Sequence, residues 1–523
     1  MLLDEVDKAA GAFAAAGIKK GDIVAAATVT IPEMVYALYG LNKIGAAPLM
    51  IDPRTTASGV CGFIKETGAK IFIVIDLYYE VLKDALFESG VEKIVVISAD
   101  TSLPKSIRFL KQLKMPAPKI ATSDKVLTWP QFSATGVGVE TETVEYGEND
   151  LAAITLTGGT TGAPKGVMLS NDAFNAIAFD FKHCGVSYKR GQRFMNIIPM
   201  FASYGIVSSL HMPLSLGLEV IIIPKFDAEK VGYYVKKYRP EHTLLVPAHY
   251  EKLMNSKEMA GGFDLSFFRT AGSGGDTMNA GLEAKLNSFL ESRGCRYPLS
   301  QGYGMSEVSS AASCCCNGNF KSLSVGYPLL TTTIGIFEPG TDNELDYGEE
   351  GEICISGPSI MLGYLNNKAE TENVIRRHTD GALWVHSGDI GHMDSDGFVY
   401  IKGRIKRMIT LFNGHKIFPT HIESVLGRHP LVSSCAVVGV NDTTHAQGEL
   451  TLAVIETSET SLEKQLAIKN ELYEMCRQEL EGPAKPHDMI FTDSMPHTGM
   501  GKIDYLKLAE DYNNENKNET EAV

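Results

Sequence analysis

Two rhythms of apolar residues alternate along the chain. The segment DEVDKAAGAFAAAG, ending at Gly17, has helical spacing, and IVAAATV after it reads as a strand. EMVYALYGLNKIG then reads as a helix and AKIFIVID as another strand. Similar units recur at EVIIIPKF and HTLLVPAH, with amphipathic helices between them. This alternation predicts an α/β fold of mostly parallel sheets covered by helices.

The character changes after about residue 400. GRIKRMITLFNGHKIFPTHIESVL is rich in basic residues, while SCAVVGV and LTLAVIE look like strands of a small α+β unit. A boundary at Arg404 to Lys406 divides a large N-terminal domain, 1–403, from a small C-terminal domain, 404–510. EDYNNENKNETEAV has almost no apolar content, so 511–523 is expected to be a disordered tail.

Composition narrows the function classes. At 523 residues the chain is too long for one ordinary core, and 44% hydrophobic with 21% charged residues is a globular balance. Lysine plus arginine number 48 against 63 acids, a net charge of −15 whose field repels nucleic acid and anionic membrane. Any anionic ligand therefore has to be held locally. No apolar run reaches membrane-spanning length, and MLLDEVDKAAGAF lacks the basic start of a signal peptide. Nine cysteines, with Cys314, Cys315 and Cys316 consecutive, show no metal-ligand spacing and suit neither a structural zinc nor a disulfide framework. Reduced thiols and a cytoplasmic location are expected.

The densest chemistry lies in ITLTGGTTGAPKGVMLSN. After a short buried strand ending at Leu156, Gly158, Gly159 and Gly162 let backbone N–H groups approach an anion. Thr157, Thr160 and Thr161 add hydroxyls, and Lys165 adds positive charge. The segment therefore reads as a polyphosphate loop. It is not the P-loop of NTPases, because Pro164 precedes the lysine and Gly166, not Ser or Thr, follows it.

Further along, QGYGMSE offers Tyr303 for stacking on a base, Ser306 for a phosphate and Glu307 for magnesium, although Gly-Tyr-Gly alone is equally a tight turn. In HSGDIGHMDSDGFVYIKGR, Asp389 could accept from two ribose hydroxyls or cap a turn, and Arg404 closes the segment. Asp394 to Gly397 reads as a hairpin turn. In PHTGMGKIDYLKL, Lys502 follows Gly499 and Gly501 on a loop able to deliver a point charge to another domain's cleft.

From about Val6 to Leu508 the chain resembles the adenylate-forming (AMP-binding) superfamily of acyl- and aryl-CoA ligases, adenylation domains and luciferases, with TGGTTGAPKG, YGMSE, SGD, GRIKRMI and GMGK in order. The resemblance implies a large N-terminal domain of αβ subdomains and a small mobile C-terminal lid. It implies two steps: a carboxylate attacks the α-phosphorus of ATP and expels pyrophosphate, then a thiol, CoA, attacks the acyl-adenylate.

By motif, Thr157 to Lys165 would hold the phosphates, with Gly302, Tyr303, Gly304, Met305 and Gly274, Gly275 and Asp276 around the nucleotide. Ser306 would touch the α-phosphate and Glu307 would bind magnesium. Asp389 would bind ribose, Arg404 ribose or phosphate, and Ile401 would line the same site. Lys502 would bridge carboxylate and α-phosphate; Lys406 would be the hinge, and Gly414 would face the thiol's carrier. Phe201, Ala202, Tyr204, Pro247, Tyr250 and Ser309 to Ser313 would form a roomy, mostly apolar acid pocket, suited to a fatty, aromatic or steroid-like acid.

Three departures stand out. Most members carry several dozen residues before the point that matches Met1, so either part of the first subdomain is absent or the start is mis-assigned. Arg407 replaces a usual acid, and Ala202 stands where histidine or aspartate is common. Without that aspartate an α-ammonium group has no counter-ion, which argues against amino-acid substrates. An acyl-CoA ligase is the leading reading, ahead of an adenylation protein that loads an acyl carrier protein and of a non-catalytic nucleotide-binding homologue.

Overall fold

The computed structural model describes residues 2–103, 106–108, 118–157, 164–442, 445, 448–480, 482–496 and 503–521. The first helix and strand expectations are met at Leu2–Ala15, Ile23–Ala27, Pro32–Lys43 and Ile71–Ile75. Pro32 starts its helix where a missing N–H costs nothing. Ser170 caps Asn171–His183 by accepting from Ala173 N.

The first sheet has eight strands, in the order Gly363–Tyr364, Gly166–Ser170, Leu151–Leu156, Ala47–Ile51, Ile23–Ala27, Ile71–Ile75, Lys93–Ile97, Val126–Thr128. From Leu151–Leu156 to Val126–Thr128 every pairing is parallel. Ala47–Ile51 and Ile71–Ile75 are buried along their whole length, as strands covered on both faces must be.

The second sheet is parallel through Glu219–Ile222, Arg193–Asn196, His242–Leu245, Thr270–Ser273 and Ser300–Tyr303, then adds antiparallel Ser313–Cys314 and Tyr327–Pro328.

A third sheet is antiparallel throughout. Thr333–Phe337, Gly351–Ser356, Leu383–Met393 and Ile375–Arg377 follow one another, and Val399–Arg404 pairs with Leu383–Met393. The turn expected at Asp394 to Gly397 joins those two: Gly397 N donates to Asp394 O at 2.8 Å, and Asp394 Oδ1 accepts from Phe398 N at 2.9 Å.

The small C-terminal domain contains a short hairpin, Ile409–Thr410 with Lys416–Ile417, and a three-stranded sheet of Ser434–Asn441, Glu449–Glu456 and Asp488–Thr492. Its last helix, Tyr505–Glu521, runs into the stretch expected to be a disordered tail. An apolar stripe that begins before that stretch docks the helix: Tyr505, Leu508 and, within the stretch, Tyr512 pack on Val438, Leu452 and Val454. Asn513 Oδ1 also accepts from Asn441 N at 3.0 Å. Among the described residues no helix is long and apolar enough to cross a membrane.

Candidate active site

The segment expected to hold polyphosphate lies between two paired strands. Leu151–Leu156 and Gly166–Ser170 are antiparallel neighbours with Leu156 opposite Gly166, so the glycine-rich segment ends in a strand, whereas a P-loop opens a helix. Thr157 N donates to Lys165 O at 2.9 Å, and Lys165 N donates to Thr157 Oγ1 at 3.3 Å. Gly158, Gly159, Thr160, Thr161 and Gly162 lie outside the described residues.

Lys165 connects this loop to the expected magnesium carboxylate. Its Nζ pairs with Glu370 and lies 4.8 Å from the ring centroid of Tyr364, whose hydroxyl donates to Glu307 Oε1 at 2.6 Å. Glu370 stays below its ordinary carboxylate range because Lys165 donates to it. If Lys165 holds phosphate as expected, Glu370 competes with that phosphate for one cation. Glu370→Gln should tighten ATP binding, by up to about fivefold given that partly exposed pairs contribute roughly 0.2–1 kcal/mol. Equilibrium titration checks this, and weaker binding would show that Glu370 supports the loop instead.

Asp389 sits where two sheets meet. It is 3% exposed and lies opposite Arg404 in the strand register. Arg404 Nε is 2.9 Å from Oδ1, and Tyr303 OH donates to Oδ2 at 2.6 Å. Burial, reinforced by the Asp389 charge, pushes the Tyr303 phenol well above its ordinary value, so it remains a donor. Asp389 N donates to Ser387 Oγ at 3.0 Å, and Ser387 Oγ donates to Ile353 O at 2.6 Å, which fixes the carboxylate's direction. A carboxylate has acceptor sites beyond these two, leaving room for a sugar diol. Ile401 and Met305 pack in the apolar cluster that contains Tyr303.

Gly304 is required by close approach, since a Cβ there would stand 2.0 Å from Ser310 O. The chain after QGYGMSE thus folds back on itself, with Ser309 at φ +58° and Ser310 at φ +110°. Such backbone is strained for serine. Ser309 Oγ is buried and has no partner among the described residues.

The segment expected to line the acid pocket meets the one expected to hold phosphate at two hydroxyls. Ser203 Oγ and Ser306 Oγ are 3.1 Å apart, placing the turn with Phe201 and Ala202 against the residue expected at the α-phosphate. Tyr204 begins a π-helix, Tyr204–His211, and its hydroxyl donates to Leu245 O at 3.3 Å. A Cβ on Gly275 would lie 3.7 Å from the Tyr204 ring, and one on Gly274 3.2 Å from Gly302 O. Gly274, Gly275, Gly302 and Tyr204 therefore form one surface, with Asp276 exposed at its edge. Pro247 opens the helix Pro247–Met254. Tyr250 differs from its expected role: it is 1% exposed, bonded through its hydroxyl to Gly272 O at 3.0 Å and Thr243 Oγ1 at 2.8 Å. It braces the strand behind the pocket.

In the C-terminal domain, Lys406 lies in the one-turn helix Ile405–Arg407. Arg407 is an internal strut: Nη2 donates to Glu423 Oε1 at 2.6 Å and Val437 O at 3.3 Å, and its guanidinium lies 3.5 Å from the Tyr505 ring centroid. Burial raises the Glu423 carboxyl pKa, with Arg407 opposing. Gly414, at φ +82°, is at the exposed hairpin tip. The domain approaches the helix Ala280–Ser292, where a Cβ at Gly281 would be 3.3 Å from Arg428 Cγ. Lys502 lies outside the described residues.

Sequence reading had not singled out Ser203, Tyr364, Glu370 or Glu423. Ser203 lies between the expected pocket residues Ala202 and Tyr204, and Glu423 lies within the basic segment GRIKRMITLFNGHKIFPTHIESVL; Tyr364 and Glu370 reach their partners across chain separations that no local pattern reveals.

The model of the AMP-binding enzyme family matches residues 1–365, and that of the AMP-binding enzyme C-terminal domain matches residues 421–502. A long-chain-fatty-acid–CoA ligase of Bacillus subtilis is 29% identical, covering 98% of this chain and 89% of its own length. A probable 4-coumarate–CoA ligase 1 of Dictyostelium discoideum is 30% identical over 88% of this chain and 82% of its own. In fold, the chain resembles ATP-bound MatB from Rhodopseudomonas palustris, with TM-score 0.81, 23% identity and coverage of 98% and 93%.

Proposed function

The chain belongs to the AMP-binding enzyme family, and from that premise we propose that it is an AMP-forming acid–CoA ligase for a fatty, aromatic or steroid-like acid. The carrying observation is the 3.1 Å contact between Ser203 and Ser306, which brings the acid-side turn to the phosphate-side serine. An acid carboxylate and the α-phosphorus of ATP would meet beside these hydroxyls.

In the first step the carboxylate oxygen forms a bond to phosphorus while the bond to pyrophosphate breaks. Thr157, Lys165 and residues 158–162 hold the departing phosphates; Ser306 donates to the α-phosphate and Lys502 neutralises it. Tyr303 and Gly274 to Asp276 flank adenine, Asp389 holds ribose and Arg404 its ribose or phosphate edge. Catalysis is positioning and charge stabilisation. Glu307 fits a hard divalent cation, since it is an oxygen donor with one oxygen oriented by Tyr364. Magnesium there would neutralise charge on the leaving phosphates.

In the second step the 404–510 domain turns about Lys406, Lys502 withdraws, and the CoA thiol reaches the adenylate carbonyl past the Gly414 loop, releasing AMP. Phe201, Ala202, Tyr204, Pro247 and Ser309 carry no charge, which supports an apolar acid, and relatives named for fatty and coumaric acids agree. Nine free thiols support a cytoplasmic setting.

The test is pyrophosphate release with ATP, magnesium and a panel of such acids. CoA-dependent thioester formation with one of them is expected. Transfer only to a holo carrier protein would replace CoA by a carrier's phosphopantetheine arm, and ATP binding without turnover of any acid would favour a binding-only homologue.

A further inference from the structure

Three cysteines distant in sequence converge outside the nucleotide site. Cys184 is the residue that ends the helix Asn171–His183, Cys314 closes the short strand Ser313–Cys314, and Cys316 follows two residues later. Their Sγ atoms all lie within 4.8 Å of one another, and those of Cys314 and Cys316 are 3.5 Å apart. All three are free thiols of intermediate burial, partly open to an entering ion.

The geometry points to a binding site for one thiophilic metal ion, monovalent copper, held by the sulfurs of Cys184, Cys314 and Cys316. A metal–sulfur bond of about 2.3 Å places three trigonal sulfurs about 4 Å apart, so the Cys314 and Cys316 sulfurs would open slightly from 3.5 Å while all three stay inside the 4.8 Å that bounds them. Thiolates select soft ions. No His, Asp or Glu among the described residues completes a fourth corner, and structural zinc is almost always four-coordinate, whereas monovalent copper accepts three sulfurs in a plane. The position favours a cation independently: the C-terminal end of a 13-residue helix carries partial negative charge, and Cys184 sits on it, its sulfur 3.1 Å from Phe181 O.

Binding would also tie two elements of the enzyme together. Cys314 pairs with Gly302 and Ser313 with Tyr303, so the metal would join the strand beside Tyr303 to the helix that follows the phosphate hairpin.

Reduced full-length protein is titrated without oxygen with copper(I) held by the coloured chelator bicinchoninate. The expected result is one ion taken per chain, an ultraviolet thiolate-to-copper band and a raised Tm. Cys184→Ser and Cys316→Ser should each weaken uptake at least tenfold, while Cys61→Ser and Cys435→Ser should leave it unchanged; circular dichroism verifies folding. Absence of uptake by the wild-type chain, uptake unaffected by Cys184→Ser and Cys316→Ser, or tighter binding of zinc than of copper would each overturn the assignment.

Discussion

Lys502→Ala should slow acyl-adenylate formation roughly 100- to 1000-fold, the scale seen when one charge-stabilising donor is removed from a transition state. Thioester formation from supplied acyl-adenylate should change by less than about threefold, because in the proposed second step the lysine withdraws. Single-turnover measurement of both half-reactions decides the matter, and equal losses would remove Lys502 from its assigned role.

Arg407→Glu should be the most damaging change in the C-terminal domain. It replaces a buried ion pair with two facing carboxylates, since Arg407 and Glu423 side chains are only 19% and 14% exposed. Breaking such a pair costs about 3–5 kcal/mol, and reversal adds repulsion. It also removes the cation over Tyr505, at the start of the last helix. Both half-reactions should fall together, with an earlier thermal transition, in contrast to Lys502→Ala. Glu423→Arg in the same chain should restore part of the stability; an unchanged transition in Arg407→Glu would mean that the strut carries no load.

Much of this was legible locally. Runs such as AKIFIVID became buried parallel strands because unbroken apolar sequence suits a strand covered on both faces. Asp394 to Gly397 formed its turn because the aspartate can bond backbone just ahead of it. Motif residues Tyr303, Asp389 and Arg404 were each singled out, but not their mutual bonds, which depend on two sheets meeting. The Lys165–Glu370 pair spans 205 positions, and neither residue's neighbours encode the other. The last helix enters the stretch expected to be disordered because Tyr505 and Leu508, which precede that stretch, dock its first turn, while only Tyr512 of the stripe lies inside it. Spacing along the chain also gave no hint of the three-sulfur cluster, since Cys184 is brought to Cys314 and Cys316 only by the packing of a helix end against a strand.

Thr157 and Lys165 hold each other through two hydrogen bonds at the root of the phosphate hairpin. Leu156 faces Gly166 and Leu151 faces Ser170 in the same antiparallel register, so both ends of the segment are tied to the first sheet and cannot slide along one another. In the proposed reaction this would give the phosphates a foundation that stays in place whatever the C-terminal domain does.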